Sequence, residues 1–279
     1  CGGELGRERD RREPPSLHRG APGRCSRYWR RGIQRFTGGV CPAGSFPARG
    51  ALAVDDHPEP AVTITRVSQT VSAVSLVLFP LAILTYWLLY PAYGVLDSAD
   101  ALRAIDGHAA RTATADVFVF TGAFLAAPAT LALMRVLDAR SPKLATIGGA
   151  LHLLGWIAII GVVMGDVIAV QIVRGGTPSP DVVQLYRRIM SSAPVIALNI
   201  IATLHVIGGV MLGIALWRTR IVPLWAGVAA TFAQPIHFVS NIAGILWVDA
   251  ITWIALAASF GCVAGLVLRA SPDSEAKRQ

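Results

Sequence analysis

Five ionisable side chains interrupt long apolar runs of this chain: Asp116, His152, Asp166, His205 and His237, with the amides Asn199, Gln234 and Asn241 nearby. An ionisable group in an apolar run is costly to keep, so each is a candidate for chemistry. Three uses suit these residue types. Neutral imidazoles on two helices at similar depth can be the axial ligands of a haem, and His152 and His205 are read as such a pair. Carboxylates and imidazoles together can bind a small solute and relay protons. The plainest use is structural, with each histidine hydrogen-bonded to a neighbouring helix. Counted from Lys143, Arg218 and Arg220 at the rise of an α-helix, His152, His205 and His237 lie about 13, 20 and 25 Å deep. Asp116 and Asp166 fall near the ends of their runs, where a carboxylate reaches water or pairs with Arg111 or Arg174.

Familiar catalytic motifs are missing from the sequence. It contains no His-Glu-x-x-His, no Gly-x-Ser-x-Gly and no P-loop. Gly165-Asp166 matches half of an intramembrane aspartyl protease signature, but Val163 stands where its first glycine belongs. No matched pair of broken helices marks two repeated halves. The expectation is therefore no catalytic residue, no enzyme activity and no resident cofactor or metal. The cysteines Cys1, Cys25, Cys41 and Cys262 form no Cys-x-x-Cys pair, which argues against a zinc site or a disulfide framework.

The elements that must position these residues are apolar and long. Of 279 residues, 53% are hydrophobic and 15% charged, against about a quarter charged in a soluble domain. Twelve of the 25 Lys and Arg lie at or before Arg66. The others sit in short loops between apolar runs, a pattern that orients membrane helices and does not form a nucleic-acid surface. A span needs about 20 apolar residues. The charge-poor intervals give an all-α, six-helix transmembrane bundle within residues 66–270, with spans near 67–90, 112–135, 144–172, 191–217, 221–246 and 250–268. Continuous apolar runs exclude a β-barrel, whose strands alternate in polarity. The turn between the last two spans is expected at Trp247–Asp249, and five spans with a re-entrant segment is the alternative topology.

Eight Lys and Arg on one side face five on the other, which orients both termini to the cytoplasm of a cell-membrane protein. Tyr86, Trp87 and Tyr90 then read as aromatic anchors at the outer interface, with Trp217 and Trp225 at the inner one. In the outer loops, Asp97-Ser98 starts a short helix ended by Gly107, and Ser179-Pro180-Asp181 caps another that enters the bilayer near Pro194. Pro80, Pro128 and Pro235 kink their spans. The pairs Gly161/Gly165, Gly209/Gly213 and Gly261/Gly265 allow close helix packing, within the bundle or in a homo-oligomer. Residues 1–60, rich in Arg, Gly and Pro, are expected to be a disordered and non-native extension, with Val54 as an alternative start. Residues 271–279 form a second polar tail.

The segment carrying His205, Gly208, Gly213, Arg218, Arg220, Pro223, Trp225 and Gly227 resembles a group of bacterial, particularly actinobacterial, six-helix integral membrane proteins of a domain-of-unknown-function family. In that group a histidine-bearing helix ends at an arginine turn followed by Pro-x-Trp-x-Gly. The resemblance extends loosely over residues 66–270 and implies the six-helix topology. It implies no catalytic residue. The expectation from sequence is thus a multi-pass inner-membrane protein of undetermined activity, with two alternatives: a small-solute or proton-coupled transporter, or a haem-binding redox anchor.

Overall fold

The computed structural model describes residues 60–269, with side chains from Arg66 onward. The expectations for an N-terminal tail, for a start at Val54 and for a tail at 271–279 fall outside the described residues. The described chain is helical: α1 Pro60–Leu89, α2 Ser98–Ile105, α3 Ala109–Asp138, α4 Pro142–Arg174, α5 Pro180–Met190, α6 Ala193–Ala202, α7 Leu204–Thr219, α8 Leu224–Ala243 and α9 Leu246–Arg269. Five stretches are long and apolar enough to cross a bilayer, as in a multi-pass membrane protein: Arg66–Leu89, Ala109–Asp138, Pro142–Arg174, Ala193–Thr219 and Leu246–Arg269. The fourth joins α6 to α7. The remaining long helix, α8, falls short of them in apolarity because it carries Gln234, His237, Ser240 and Asn241.

The long helices close into a ring. α1 packs on α3, α3 on α4, α4 on α7, α7 on α8, α8 on α9, and α9 returns to α1. Sequence neighbours run antiparallel, as their facing residues show: Met134 meets Gly149, Gly155 meets His205, and Gly213 meets Thr231. Small residues point inward, including Ala115, Ala126, Ala129 and Ala132 on α3. Large ones point outward, among them Phe124 at 67% exposure and Ile157 at 65%. A water-soluble bundle does the reverse. Small side chains let helices approach where lipid, not water, surrounds them. The larger core residues gather about Phe79, which meets Trp156 edge-on at 4.8 Å, with Trp253 and Phe260 close by.

The tightest crossing joins α4 to α7. A Cβ on Gly155 would lie 2.2 Å from the backbone nitrogen of His205, and one on Gly208 would lie 2.3 Å from that of His152. Each histidine thus stands three residues before a glycine that receives the other histidine's backbone. Of the three expected glycine pairs, Gly161/Gly165 meets Leu198 and Met190, and Gly209/Gly213 meets Gln234 and Thr231. Gly261 and Gly265 face no neighbouring atom within 4 Å.

One end of the bundle carries a cap of two short helices. Asp97 accepts hydrogen bonds from the backbone N–H groups of Ala99 and Asp100 at the start of α2 and pairs with Arg187 of α5 at 3.1 Å. The two backbone donors, and after them Arg187, hold the Asp97 carboxyl below its ordinary pKa. Pro180 and Asp181 open α5, while Arg187 and Arg188 close it, charges that suit the helix dipole. Ala92, Leu102, Ile105, Val170, Val173 and Tyr186 seal this cap onto α4.

The last turn departs from expectation. It lies at Gly244–Ile245, and Trp247–Asp249 belong to the first turn of α9. Gly244 takes a left-handed φ of 68° and ends α8, as glycine does at a helix C-terminus. Its Cα would stand 2.5 Å from a Cβ on Gly94, itself at φ 73°. The α1–α2 loop and the α8–α9 hairpin are therefore pressed together through two glycines.

Candidate functional site

A one-residue break at Thr203, between α6 and α7, borders the site. There the chain leaves α6 and enters α7, with the Thr203 hydroxyl donating to the Ile200 carbonyl. α7 packs on both α4 and α8, whereas α6 packs mainly on α4. A cavity of about 600 Å³ lies beside the break, walled by α1, α3, α4, α6, α7 and α8. Most of its lining is apolar, including Ile83, Val119, Ile159, Val163, Ile196, Ile200 and Phe238, with Tyr86, Trp87 and Trp156 as aromatic faces. Its polar lining is Asp166, Asn199, Thr203, His205, His237 and Asn241.

Asp166 is held by two tyrosines of α1. Tyr86 donates to Oδ2 at 3.0 Å and Tyr90 to Oδ1 at 2.6 Å. The expected reading of Tyr86 and Tyr90 as interface anchors is thus corrected. Their i, i+4 spacing puts both hydroxyls on the face that meets α4. Asp166 does not pair with Arg174, nor Asp116 with Arg111, which donates instead to the Leu88 carbonyl near the end of α1. Asp116 is 5% exposed, lies close enough to Asp166 for their charges to interact, and has Oδ1 buried without a partner. On the capped side, Tyr186 donates to the Gly165 carbonyl at 3.4 Å. Burial, then the Asp166 charge, push its phenol up to about 12.

The three histidines part company. His152 lies outside the cavity wall in a closed hydrogen-bond chain. Trp156 Nε1 donates to His152 Nε2 at 3.2 Å, and the contact between His152 Nδ1 and Thr130 Oγ1 is 2.8 Å. The Thr130 hydroxyl proton goes to the Ala126 carbonyl, so its oxygen accepts from Nδ1–H. The chain requires the neutral Nδ1–H tautomer and leaves no nitrogen lone pair for a metal. The expected haem pairing of His152 with His205 does not fit this bonding.

His205 and His237 both line the cavity, their rings 6.4 Å apart. His205 Nδ1 lies 2.5 Å from the Ala202 carbonyl, an acceptor only, so Nδ1 carries the proton. His237 Nδ1 meets Asp249 Oδ1 at 2.7 Å. Sequence reading placed Asp249 in a loop, yet it is fully buried in α9. The only signal was a lone acid at the edge of a charge-free run. A carboxylate on Nδ1–H orients an imidazole and supports a proton arriving at Nε2. Around this pair the bonding is incomplete. Trp253 Nε1 points at the same Nδ1 from 3.2 Å, competing for one atom. Asp249 Oδ2, Trp87 Nε1 and the Tyr93 hydroxyl are buried without partners. Tyr93 stands near Asp249 outside hydrogen-bond geometry, and burial followed by that carboxylate raises its pKa.

Of the other expected residues, Asn199 and Asn241 reach the cavity and Gln234 does not. The Gln234 side chain covers Gly209, with its Oε1 buried and unpartnered. Among the described residues no three His, Cys, Asp or Glu gather as a metal site. Comparison with known proteins finds no matching family model, curated sequence or solved structure.

Proposed function

We propose that the chain is a six-span protein of the cell membrane, with both ends cytoplasmic, that carries a small and largely apolar solute in exchange with protons. The observation that carries this reading is the cavity that gathers Asp166, His205 and His237 beside the break between α6 and α7. Unwound or bent helices at a buried polar site are common in carriers. The His237–Asp249 pair supplies a proton acceptor at the wall, and the unpartnered Asp249 Oδ2 and Tyr93 hydroxyl lead from it toward the Gly94 loop.

Counting α8 as the sixth span rests on its outward face. Leu224, Phe232, Ile236, Val239 and Ile242 are exposed, while Thr231, Gln234, His237 and Ser240 are buried. That distribution suits lipid outside and polar contacts within. The orientation rests on charge. The end with the α3–α4 and α7–α8 turns carries seven Lys or Arg and only Asp138 among described residues, whereas the capped end carries five against four Asp. The resemblance to six-helix bacterial membrane proteins, through His205–Gly227, points the same way.

The test is uptake into liposomes holding the purified protein under an imposed pH gradient. A mixture of small amphipathic solutes is supplied and the lumen analysed by mass spectrometry. At least one solute accumulates with the gradient and fails to do so with H237A. Lumenal contents equal to those of empty liposomes for every solute would sink the proposal. For topology, single cysteines at Ile221 and Ala243 label from opposite sides of the membrane with an impermeant maleimide.

A further inference from the structure

The cavity presents a carboxylate and two imidazole lone pairs with no cation to balance them, and this selects a ligand. The Asp166 carboxylate uses both oxygens to accept from Tyr86 and Tyr90, the pattern of an ionised group. His205 and His237, each 8% exposed, carry their protons on Nδ1 toward Ala202 and Asp249. Each Nε2 is left with a lone pair and no hydrogen bond to any described residue. Asn199 Nδ2 donates one N–H to the Val195 carbonyl and Oδ1 is free to accept, while Asn241 adds a second amide to the lining. Apart from these amides, the donors nearby are spent or covered. The Tyr86 hydroxyl is on Asp166, the Trp156 N–H is on His152, the Thr203 hydroxyl is on Ile200, and the Trp87 N–H is buried.

No Lys or Arg lines the cavity to balance Asp166. Four of the described arginines are engaged elsewhere: Arg103 with Asp100, Arg111 with the Leu88 carbonyl, Arg140 with the Thr219 carbonyl and Arg187 with Asp97. A carboxylate among apolar walls needs a counter-charge, from a proton or from a bound cation. The faces of Tyr86, Trp87 and Trp156 add the quadrupole attraction that aromatic rings offer a cation.

We propose that this cavity binds an organic ammonium ion, an apolar body bearing a protonated amine whose N–H groups meet Asp166, His205 Nε2, His237 Nε2 and Asn199 Oδ1. The inference rests on the carrier reading of the same cavity and adds the class of its solute. An anion finds only the amides of Asn199 and Asn241 there, with no cation and with the Asp166 carboxylate alongside, and a neutral alcohol leaves Asp166 without a counter-charge.

The test is isothermal titration of the detergent-purified full chain with three probes of one shape: 2-phenylethylamine, 2-phenylethanol and phenylacetate. The amine is expected to bind at least about tenfold more tightly than the alcohol, a difference of about 1.4 kcal/mol, with no phenylacetate binding. D166N is expected to abolish the preference while the alcohol's affinity persists. The wild-type ranking stands on its own if that variant does not fold. Equal binding of amine and alcohol overturns the ammonium assignment and leaves a neutral-solute carrier intact. Tighter phenylacetate binding overturns it too, as does binding of none of the three.

Discussion

His152 and His237 are both buried histidines within one ring of helices, yet their surroundings are opposites. Around His152, at the crossing of α3, α4 and α7, every polar group of the chain has a partner and the chain ends on a helix carbonyl. Around His237, where α1, α8 and α9 meet, Asp249 and Trp253 compete for one nitrogen and three buried polar atoms have no partner. A satisfied network in a low dielectric rigidifies its surroundings, while an incomplete one is costly and persists where it is used. The difference separates a histidine that holds the fold from one that faces a cavity with a free lone pair.

Four measurements would break or sharpen that contrast. The largest effect belongs to G155A at the closed crossing. Its Cβ would strike the His205 backbone, so thermal unfolding in detergent should show a loss of about 3 kcal/mol, the upper end for overpacking. Next is H152L, which strands the Trp156 N–H and the Thr130 oxygen. It should cost about 1–2 kcal/mol and leave gradient-driven uptake unchanged, and lost uptake at full stability would erase the distinction between the two histidines.

D249N should do the opposite. Because one carboxylate oxygen is already unpartnered, its stability should change by less than about 1 kcal/mol, while uptake falls about tenfold or more. Combining D249N with H237Q should reduce uptake no further than either alone, since the two act as one unit. A full additive loss would separate them.

The smallest effect is at the cap. D97A removes the acceptor for Ala99 and Asp100 N–H, so α2 should fray in hydrogen exchange. Asp97 has a lowered folded pKa, so its contribution is complete above its ordinary value of about 3.9. It is lost as pH falls through the lowered one. Wild type and D97A should therefore converge in strong acid and differ at neutral pH.

Much of the scaffold was legible because its signals are local. Apolar length marks the spans, Asp97 and Ser179-Pro180 mark the starts of α2 and α5, and two of the three glycine pairs mark close packing. The list of intramembrane polar residues was legible too, since any ionisable group stands out in an apolar run. Their sorting was not. Similar depth suggested pairing His152 with His205, but depth says nothing of which way a ring points about its helix axis. Tyr86 and Tyr90 read as anchors because aromatic residues near a span's end suit either the lipid interface or an inward carboxylate. Asp249 read as a loop residue because the turn could close before or after it, and Gly244 against Gly94 places it before.

By itself the sequence determined that long apolar helices form, roughly where they begin, and which costly groups they carry, because hydropathy, capping and proline act over a few residues. The break at Thr203, the reciprocal packing of Gly155 and Gly208, and the meeting of His237 with Asp249 were decided by tertiary structure alone. Each depends on the rotation and register of helices against one another, and that is set by packing between residues far apart in the chain.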